Sequence, residues 1–208
     1  MKGWKLSARK LPMIEPLTLE GTHVRLEPLS FAHQDALLEA ASDGELWTLP
    51  YTIVPSRQTI VEYIGNALEG QEQGREQPFT IVDKQRNVIV GSTRYTEIVA
   101  AHRRLEIGYT WLARSAQRTP INTEAKYLLL RQAFEDLGCV RVELVTDILN
   151  ERSRAAILRL GATQEGILRN HMIMPNGRCR DSVCFSIIEA EWPAVKERLL
   201  ARLGRIVT

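Results

Sequence analysis

The sequence predicts an α/β fold of the α+β type, in which a mixed β-sheet carries helices on both faces. Two observations lead to this prediction. In the first half of the chain, strand patterns at Phe79–Asp83 and Val88–Glu97 are joined by a short polar turn, as in a β-hairpin. In the second half, strand patterns alternate with helical ones, which favours parallel neighbours. A sheet built from both kinds of segment is mixed.

Three elements precede the hairpin. Residues His23–Leu29 alternate as a strand, and Phe31–Ala41 has the pattern of a short helix. A longer helix is predicted from about Ser56 to Gln71, with the Ser56 side chain as a plausible cap. Its apolar residues recur at helical spacing: Ile60, Tyr63, Ile64 and Leu68.

The segment from Arg104 to Ala113 alternates strictly, which predicts a strand with two distinct faces. One face would carry Leu105, Ile107, Tyr109 and Trp111. The other would carry Glu106, Gly108, Thr110 and Leu112.

The rest of the chain alternates between helices and strands. A helix is expected to start at Thr119-Pro120 and to run to Gly138, with Leu130, Ala133, Phe134 and Leu137 facing the core. A strand at Arg141–Thr146 and a helix at Asn150–Leu160, closed by Gly161, follow. Strands near Gln164–Arg169 and Asp181–Ile188 and an amphipathic helix from about Glu191 to Leu203 complete the pattern.

Composition limits the class of protein. The 208 residues include 27 Lys+Arg and 25 Asp+Glu, so the net charge is only +2, and nucleic acid is an improbable partner. Three scattered cysteines and the lack of a signal sequence or long apolar run favour a cytoplasmic protein that does not contact a membrane. We expect residues 1–12 to form an N-terminal tail, for which disorder is one alternative, and residues 13–208 to form a single domain, as a monomer or homodimer.

Three places in the sequence could carry chemistry. The first is the strand-to-loop-to-helix segment Trp111–Lys126, where free backbone N–H groups and Arg114 and Arg118 could bind a phosphate; the alternative is simply a capped helix. The second is Asp147–Ala162, where Asn150 and Ser153 share one side of a helix above Ile157; the alternative is that Asn150 merely caps this helix.

The third place is Glu106, in the middle of a strand. In half-buried surroundings its carboxylate could act as a general base, whereas a plain structural role would have it face solvent or pair with Arg104. The four histidines are isolated from one another, and no metal-ligand spacing occurs, so no metal is expected.

The chain from about Leu17 to Leu203 resembles the GNAT superfamily of acyl-CoA-dependent N-acetyltransferases. Within it, the chain is most similar to the bacterial subgroup that acetylates the N-termini of ribosomal proteins. The matching stretches are LEGTHVRLEPLS at 19–30, VIVGSTRY at 88–95, LEIGYTWL at 105–112, QRTPINTEAK at 117–126 and NERSRAAILRLGATQEG at 150–166.

The resemblance implies a strongly twisted sheet of six to seven strands that splays between its fourth and fifth strands. Acetyl-CoA, the cosubstrate, would enter this gap. Trp111, Leu112 and Ala113 would pair through their backbone with the pantetheine arm, and the pyrophosphate would lie on the loop formed by Gln117, Arg118, Thr119, Pro120, Ile121, Asn122 and Thr123. Ser153 would donate a proton to the departing thiolate, Asn150 would position the pantetheine or substrate, and Glu106 is the best candidate for the base.

Two departures from the superfamily pattern matter. Pro120 stands where a glycine would offer a backbone donor to phosphate. His171-Met172 stands where related enzymes can carry a Glu, which leaves Glu106, His171 or water as the base.

The expected function is therefore transfer of the acetyl group of acetyl-CoA to a primary amine, either a protein N-terminus or a small molecule, by direct attack in a ternary complex. The alternative is a catalytically weak CoA-binding or ribosome- or RNA-associated protein of the same fold. Pro120 and the basic residues Arg152, Arg154 and Arg159 keep that alternative open.

Overall fold

The structure is a computed structural model that describes residues 16–204. The tail predicted for residues 1–12 lies outside the described residues. Within them, eight strands form one sheet in the spatial order β1-β2-β3-β4-β5-β6-β8-β7. The strands are β1 (Leu19–Glu20), β2 (Val24–Pro28), β3 (Gln77–Asp83), β4 (Val88–Val99), β5 (Arg104–Leu112), β6 (Arg141–Asp147), β7 (Thr163–Ile173) and β8 (Cys179–Ile188).

The sheet is mixed, as predicted, because β5 and β6 are parallel whereas all the other neighbouring pairs are antiparallel. The eighth strand, one more than expected, is β1. It has only two residues, too few to show an alternating pattern in the sequence.

Five α-helices accompany the sheet in this part of the chain. They are α1 (Gln34–Ser42), α2 (Ile60–Glu72), α3 (Pro120–Arg131), α4 (Glu151–Leu160) and α5 (Trp192–Arg202). The prediction that the second helix begins at Ser56 is wrong. The Ser56 N–H donates to Thr59 Oγ1 at 2.9 Å and the Ser56 carbonyl accepts from the Thr59 N–H at 3.1 Å, so residues 56–59 form a turn ahead of the helix, which begins at Ile60.

The predicted helix from Thr119 to Gly138 is not one uniform α-helix. After α3, residues Gln132–Asp136 form a π-helical turn, in which the Leu137 N–H donates to the Gln132 carbonyl. Gly138 then ends the helical segment with φ of +68°.

Helices cover both faces of the sheet, as two consecutive residues of β4 demonstrate. The Tyr95 hydroxyl donates to the Leu129 carbonyl of α3 at 2.6 Å. Its neighbour Arg94 donates instead to the Tyr63 carbonyl of α2 at 3.2 Å. Since successive residues of a strand point to opposite faces, α2 and α3 lie on opposite sides of the sheet.

A β-bulge in β5 corrects the predicted alternation. Gly108 pairs with Arg94, and Trp111 pairs with Ser92. Two residues lie between these pairs in β5 but only one in β4, so β5 contains one extra residue. Tyr109 has φ of +50° at this point. The extra residue reverses the alternation, so Trp111 lies on the face of Glu106 and Gly108 rather than on that of Leu105 and Ile107.

The sheet splays at its centre, between the fourth and fifth of the strands that the sequence predicted. Strands β5 and β6 are joined only by the pairs Arg104–Arg141, Leu105–Val142 and Glu106–Glu143. Beyond Glu106 the two strands separate. The gap expected from the family resemblance is therefore present.

Candidate active site

A cleft of about 1120 Å³ opens where β5 and β6 separate. It collects most of the residues that the sequence singled out, because the end of β5, the loop before α3 and the start of α4 all meet at this gap. The predicted residues that line it are Glu106, Trp111, Leu112, Gln117, Arg118, Asn122, Asn150, Ser153 and His171.

Other predicted residues lie around the cleft without lining it: Ala113, Thr119, Pro120, Ile121 and Thr123. Thr119 caps α3, and its Oγ1 accepts from the Ile121 N–H at 3.4 Å. The Ile121 side chain is buried in the hydrophobic core. The Ala113 N–H is occupied by the Val90 carbonyl at 2.7 Å.

Glu106 stands at the last pair that joins β5 to β6. Its carboxylate lies over Gly108, two residues further along the strand. The missing side chain of Gly108 leaves the space, because a Cβ there would be 2.8 Å from Glu106 Oε1. The structural role considered for Glu106, pairing with Arg104, is not seen. Arg104 donates instead to Glu143 at 3.3 Å.

The surroundings of Glu106 suit a general base. Burial, together with the nearby carboxylates of Glu143 and Glu97, raises the pKa of Glu106 from 4.5 to about 7. Arg180 and Lys126 act in the opposite direction. A carboxylate with a pKa near neutrality can accept a proton from an amine and release it again at physiological pH.

Lys126 is a cleft residue that the sequence analysis did not single out. It lies on α3, is buried, and donates from Nζ to Thr110 Oγ1 at 2.5 Å. Burial lowers the pKa of its ammonium from 10.5 to about 7. The sequence did hold a signal, since Lys126 precedes Leu130 by four residues and Ala133 by seven, and so falls on the row predicted to face the core.

Asn150 and Ser153 lie together at the start of α4. Asn150 Oδ1 accepts from the Ser153 N–H at 3.0 Å, so Asn150 does cap the helix. This cap fixes the first turn of α4 at the edge of the cleft. Both residues line the cleft, and the Ser153 side chain is half-buried.

The loop before α3 closes one end of the cleft. Gln117 Nε2 donates to the Leu112 carbonyl at 2.9 Å, which ties the loop to the end of β5. Arg118 has φ of +62° and is exposed. Arg118, with Arg152 and Arg159 of α4, places positive charge along the cleft.

His171, the alternative base, enters the cleft through an irregularity in β7. Leu168 pairs with Ser182 and Met172 pairs with Arg180, so β7 contains two more residues than β8 between these pairs. Within this stretch Asn170 has φ of +50°. His171 Nδ1 lies 3.0 Å from Ser182 Oγ. Both Glu106 and His171 therefore line the cleft.

A second cleft, of about 1270 Å³, adjoins the first on the side of α1 and α2. Arg94 forms part of its wall: its guanidinium lies 4.5 Å from the ring centre of Tyr63 and 4.4 Å from that of Tyr109, and it pairs with Glu76 at 3.0 Å. Sequence reasoning missed these residues, since nothing in their spacing connects them. The two clefts share lining residues: Leu49, Thr52, Ile53, Val54, Glu76 and Tyr109.

The turn between β7 and β8 contacts elements that line both clefts. Arg178 pairs with the buried Asp147 at the end of β6 and donates to the Pro50 carbonyl at 3.2 Å. The Arg178 side chain thus connects the end of β6, which precedes Asn150, to the loop between α1 and α2.

Two further features concern the described part of the chain only. Within residues 16–204, no cluster of His, Cys, Asp or Glu side chains is arranged to hold a metal ion. Over the same range, no helix has the length and apolar character needed to cross a membrane.

Comparison with known proteins gives consistent matches. The profile of the Acetyltransferase (GNAT) domain matches residues 23–163. YdaF of Bacillus subtilis (strain 168), which carries the name "Putative ribosomal N-acetyltransferase YdaF", is 37% identical over 95 residues, which are 46% of this chain and 51% of YdaF. The chain thus matches about half the length of that relative.

Solved structures match over more of the chain. A GCN5-related N-acetyltransferase from Brucella melitensis superposes with a TM-score of 0.82 and 33% identity, covering 92% of this chain and 87% of that one. RimJ from Mycobacterium smegmatis, solved in complex with CoA-disulfide, shares the fold with a TM-score of 0.74 at 23% identity, covering 92% of this chain and 94% of its own.

Proposed function

Because this chain belongs to the GNAT family of acetyltransferases, we propose that it transfers the acetyl group of acetyl-CoA to a primary amine, with Glu106 as the base and Ser153 as the proton donor. The observation that carries the proposal is the gap between β5 and β6, with the Glu106 carboxylate at its closed end and Ser153 at its edge.

The residues of the first cleft fit acetyl-CoA. The gap leaves strand edges free to pair with the amide groups of a pantetheine arm, next to Trp111 and Leu112. Arg118, Arg152 and Arg159 supply positive charge for phosphates. When bound, acetyl-CoA supplies an activated acetyl thioester.

The chain's own residues would then act in turn. Glu106 removes a proton from the acceptor ammonium, so that the neutral nitrogen can attack the thioester carbonyl carbon. A carbon–nitrogen bond forms and the carbon–sulfur bond breaks. Ser153 donates a proton to the departing sulfur, and the second proton, which the new amide nitrogen loses, passes through solvent to restore the Ser153 hydroxyl. Glu106 returns its own proton to solvent. Asn150 keeps Ser153 in place by capping its helix.

The second cleft is where the acceptor would lie, because it opens onto the first through shared lining residues. Its lining includes more acidic than basic side chains, which favours a cationic amine: Asp35, Glu39, Glu62 and Glu76 against Arg57 and Arg94. We propose a protein or peptide N-terminus as the acceptor. The size of this cleft supports that choice, as does the name of YdaF.

The test is thiol release from acetyl-CoA in the presence of an amine panel. Short peptides with a free N-terminus should release CoA, whereas the same peptides with a formylated N-terminus should not, even if they contain lysine. CoA release with small amines but not with peptides would overturn the choice of acceptor. Tight CoA binding without any release would overturn the enzymatic proposal and favour the catalytically weak alternative.

A further inference from the structure

Lys126 and Glu106 reach the central gap from opposite faces of the sheet. Thr110, which accepts from Lys126, also lies 2.7 Å from Thr93 Oγ1, and Thr93 shares its face with Tyr95, whose hydroxyl reaches α3. Glu106 pairs with Thr96, on the other face. Where β5 and β6 separate, the Lys126 and Glu106 side chains are not divided from each other by paired strands.

Lys126 is unfavourable for the stability of the fold. Its side chain is buried, and among residues 16–204 no carboxylate lies within ion-pair distance of its Nζ. A buried ammonium without a paired anion destabilises a protein. An apolar residue would suit a helix row that continues with Leu130 and Ala133. A group that is unfavourable for stability and lies in a cleft is a candidate for a functional role.

The place of Lys126 indicates what that role is. Its partner Thr110 follows Tyr109 in the β5 bulge, which is the part of the strand nearest to both clefts. A bulge re-aims the residues around it, and a fixed Thr110 side chain restricts that local geometry. Lys126 is also the group from α3 that acts electrostatically on Glu106.

We propose that Lys126 is a positioning residue for acetyl transfer, which anchors Thr110 at the bulge and offsets the negative charge of Glu106 across the gap. This inference rests on the proposed function in assigning Glu106 as the base. The other groups whose charge acts on Glu106 come from three strands: Glu97 of β4, Glu143 of β6 and Arg180 of β8.

The charge balance explains why a cation is useful here. Two carboxylates, Glu143 and Glu97, disfavour ionisation of Glu106, and burial acts in the same direction. Without Lys126, a larger fraction of Glu106 would be protonated at neutral pH and unable to accept a proton. Lys126 acts with Arg180, which opposes the rise more strongly, to keep the base available in the pH range where the acceptor amine must lose its proton.

The test compares Lys126→Met with a matched control, Lys196→Met, which removes a lysine from α5 that pairs with Glu135 away from the cleft. Glu106 is titrated directly by ¹³C NMR of labelled glutamate carboxyl groups in the free protein, with Glu106→Gln to assign its signal. We expect Lys126→Met to move the Glu106 midpoint to higher pH, and Lys196→Met to leave it in place.

The activity profile gives a second readout. The kcat/KM of Lys126→Met should fall severalfold more at pH 6 than at pH 9, and Lys126→Arg, which keeps the charge, should restore most of the wild-type profile. An unchanged Glu106 midpoint in folded Lys126→Met, or an equal loss of activity at both pH values, would overturn the inference.

The two proposals fail in different ways. If Glu106→Gln is as active as the wild type, Glu106 is not the base, and the proposed mechanism is wrong whatever Lys126 does. If Glu106→Gln is inactive while the Glu106 midpoint is insensitive to Lys126→Met, the base assignment stands and only the role of Lys126 is lost.

Discussion

The Glu106 carboxylate lies in space that exists only because residue 108 is a glycine. A Cβ on Gly108 would approach Glu106 Oε1 to 2.8 Å, closer than real side chains allow, and Thr96 Oγ1 to 3.3 Å, which is a tight contact. The position of the candidate base therefore depends on the residue two places further along the same strand. This dependence can be tested without touching a titratable group.

We expect Gly108→Ala to displace the Glu106 carboxylate and to lower kcat/KM by roughly 10- to 100-fold, because a misplaced base transfers protons poorly. The fold should survive, since the clash is with a flexible side-chain end. Steady-state kinetics and a thermal melt measure both effects. Gly166→Ala is the matched control: it also lies in the sheet, and a Cβ there would meet nothing within 4 Å. Equal activity of the two variants would show that Glu106 has no fixed working position.

Glu106→Gln should flatten the acidic limb of the rate–pH profile. Because the pKa of Glu106 is raised to about 7, wild-type activity should fall as the pH drops below neutrality and the carboxylate becomes protonated. Glutamine has no such titration. A limb that persists unchanged in the variant would assign the proton transfer to His171 or to water.

The Glu106 carboxyl also links stability to pH. Its folded pKa lies above its ordinary value of 4.5, so its favourable contribution is complete below pH 4.5 and is lost as the pH rises through about 7. Glu106→Gln should therefore melt at a higher temperature than the wild type above pH 7, and this advantage should disappear near pH 4.

Ser153→Ala should lower kcat by about 10²–10⁴-fold and leave the affinity for acetyl-CoA nearly unchanged, as expected for loss of a proton donor. Calorimetric titration and single-turnover kinetics separate the two quantities. Asn150→Ala is an informative comparison, because it removes the helix cap and should cost about 1 kcal/mol of stability, whereas Ser153→Ala keeps the capping bond from the Ser153 N–H. A wild-type kcat would exclude Ser153 from the mechanism.

Pro120→Gly should tighten acetyl-CoA binding by about ten- to a hundredfold while slightly lowering the melting temperature of the free protein. Pro120 is the first residue of α3, where its fixed φ favours the helix but its nitrogen offers phosphate no donor. Calorimetric titration with acetyl-CoA measures the first effect, and melting without ligand measures the second. Unchanged or weaker binding would mean that the cofactor does not use a donor at this position.

Lys126→Met should stabilise the free protein, by about 1–3 kcal/mol near pH 6, because it removes a buried ammonium that has no paired anion. The folded pKa of Lys126 is lowered to about 7 from 10.5, so the unfolded chain binds more protons between these values and the cost of Lys126 falls as the pH rises through that window. Denaturant melts at pH 6 and pH 10 should therefore show a larger gain at pH 6. A loss of stability at both would mean that the Thr110 contact outweighs the burial of charge.

The sequence predicted the order of the main elements well, because strands such as β6 and helices such as α4 carry clear periodicity and end signals. Gly161 and Gly138, for example, both adopt the positive φ expected of residues that end helices. Periodicity failed where one extra residue changed the geometry. The bulge at Tyr109 reversed the faces of the strand, and no local pattern distinguishes a bulged strand from a regular one.

The candidate site was predictable in part for the same reason. Asn150 and Ser153 are brought together by one helical turn, which spacing alone can reveal. Glu106 and Lys126 come from different elements on opposite faces of the sheet, so that only the tertiary fold brings them near one gap. Likewise, the stacking of Arg94 between Tyr63 and Tyr109 joins residues 46 positions apart in the chain, a relationship that local sequence cannot show.

The three pairs that join β5 to β6 also have a consequence for amide hydrogen exchange. Central strands are normally the most protected part of a sheet, because opening them requires global unfolding. Here the amides of β5 and β6 that point into the gap beyond Glu106 and Glu143 lack a strand partner across it. In the free protein these central amides should therefore exchange fast, although the strands on either side exchange slowly. A ligand that bridges the gap should slow the exchange of these amides selectively.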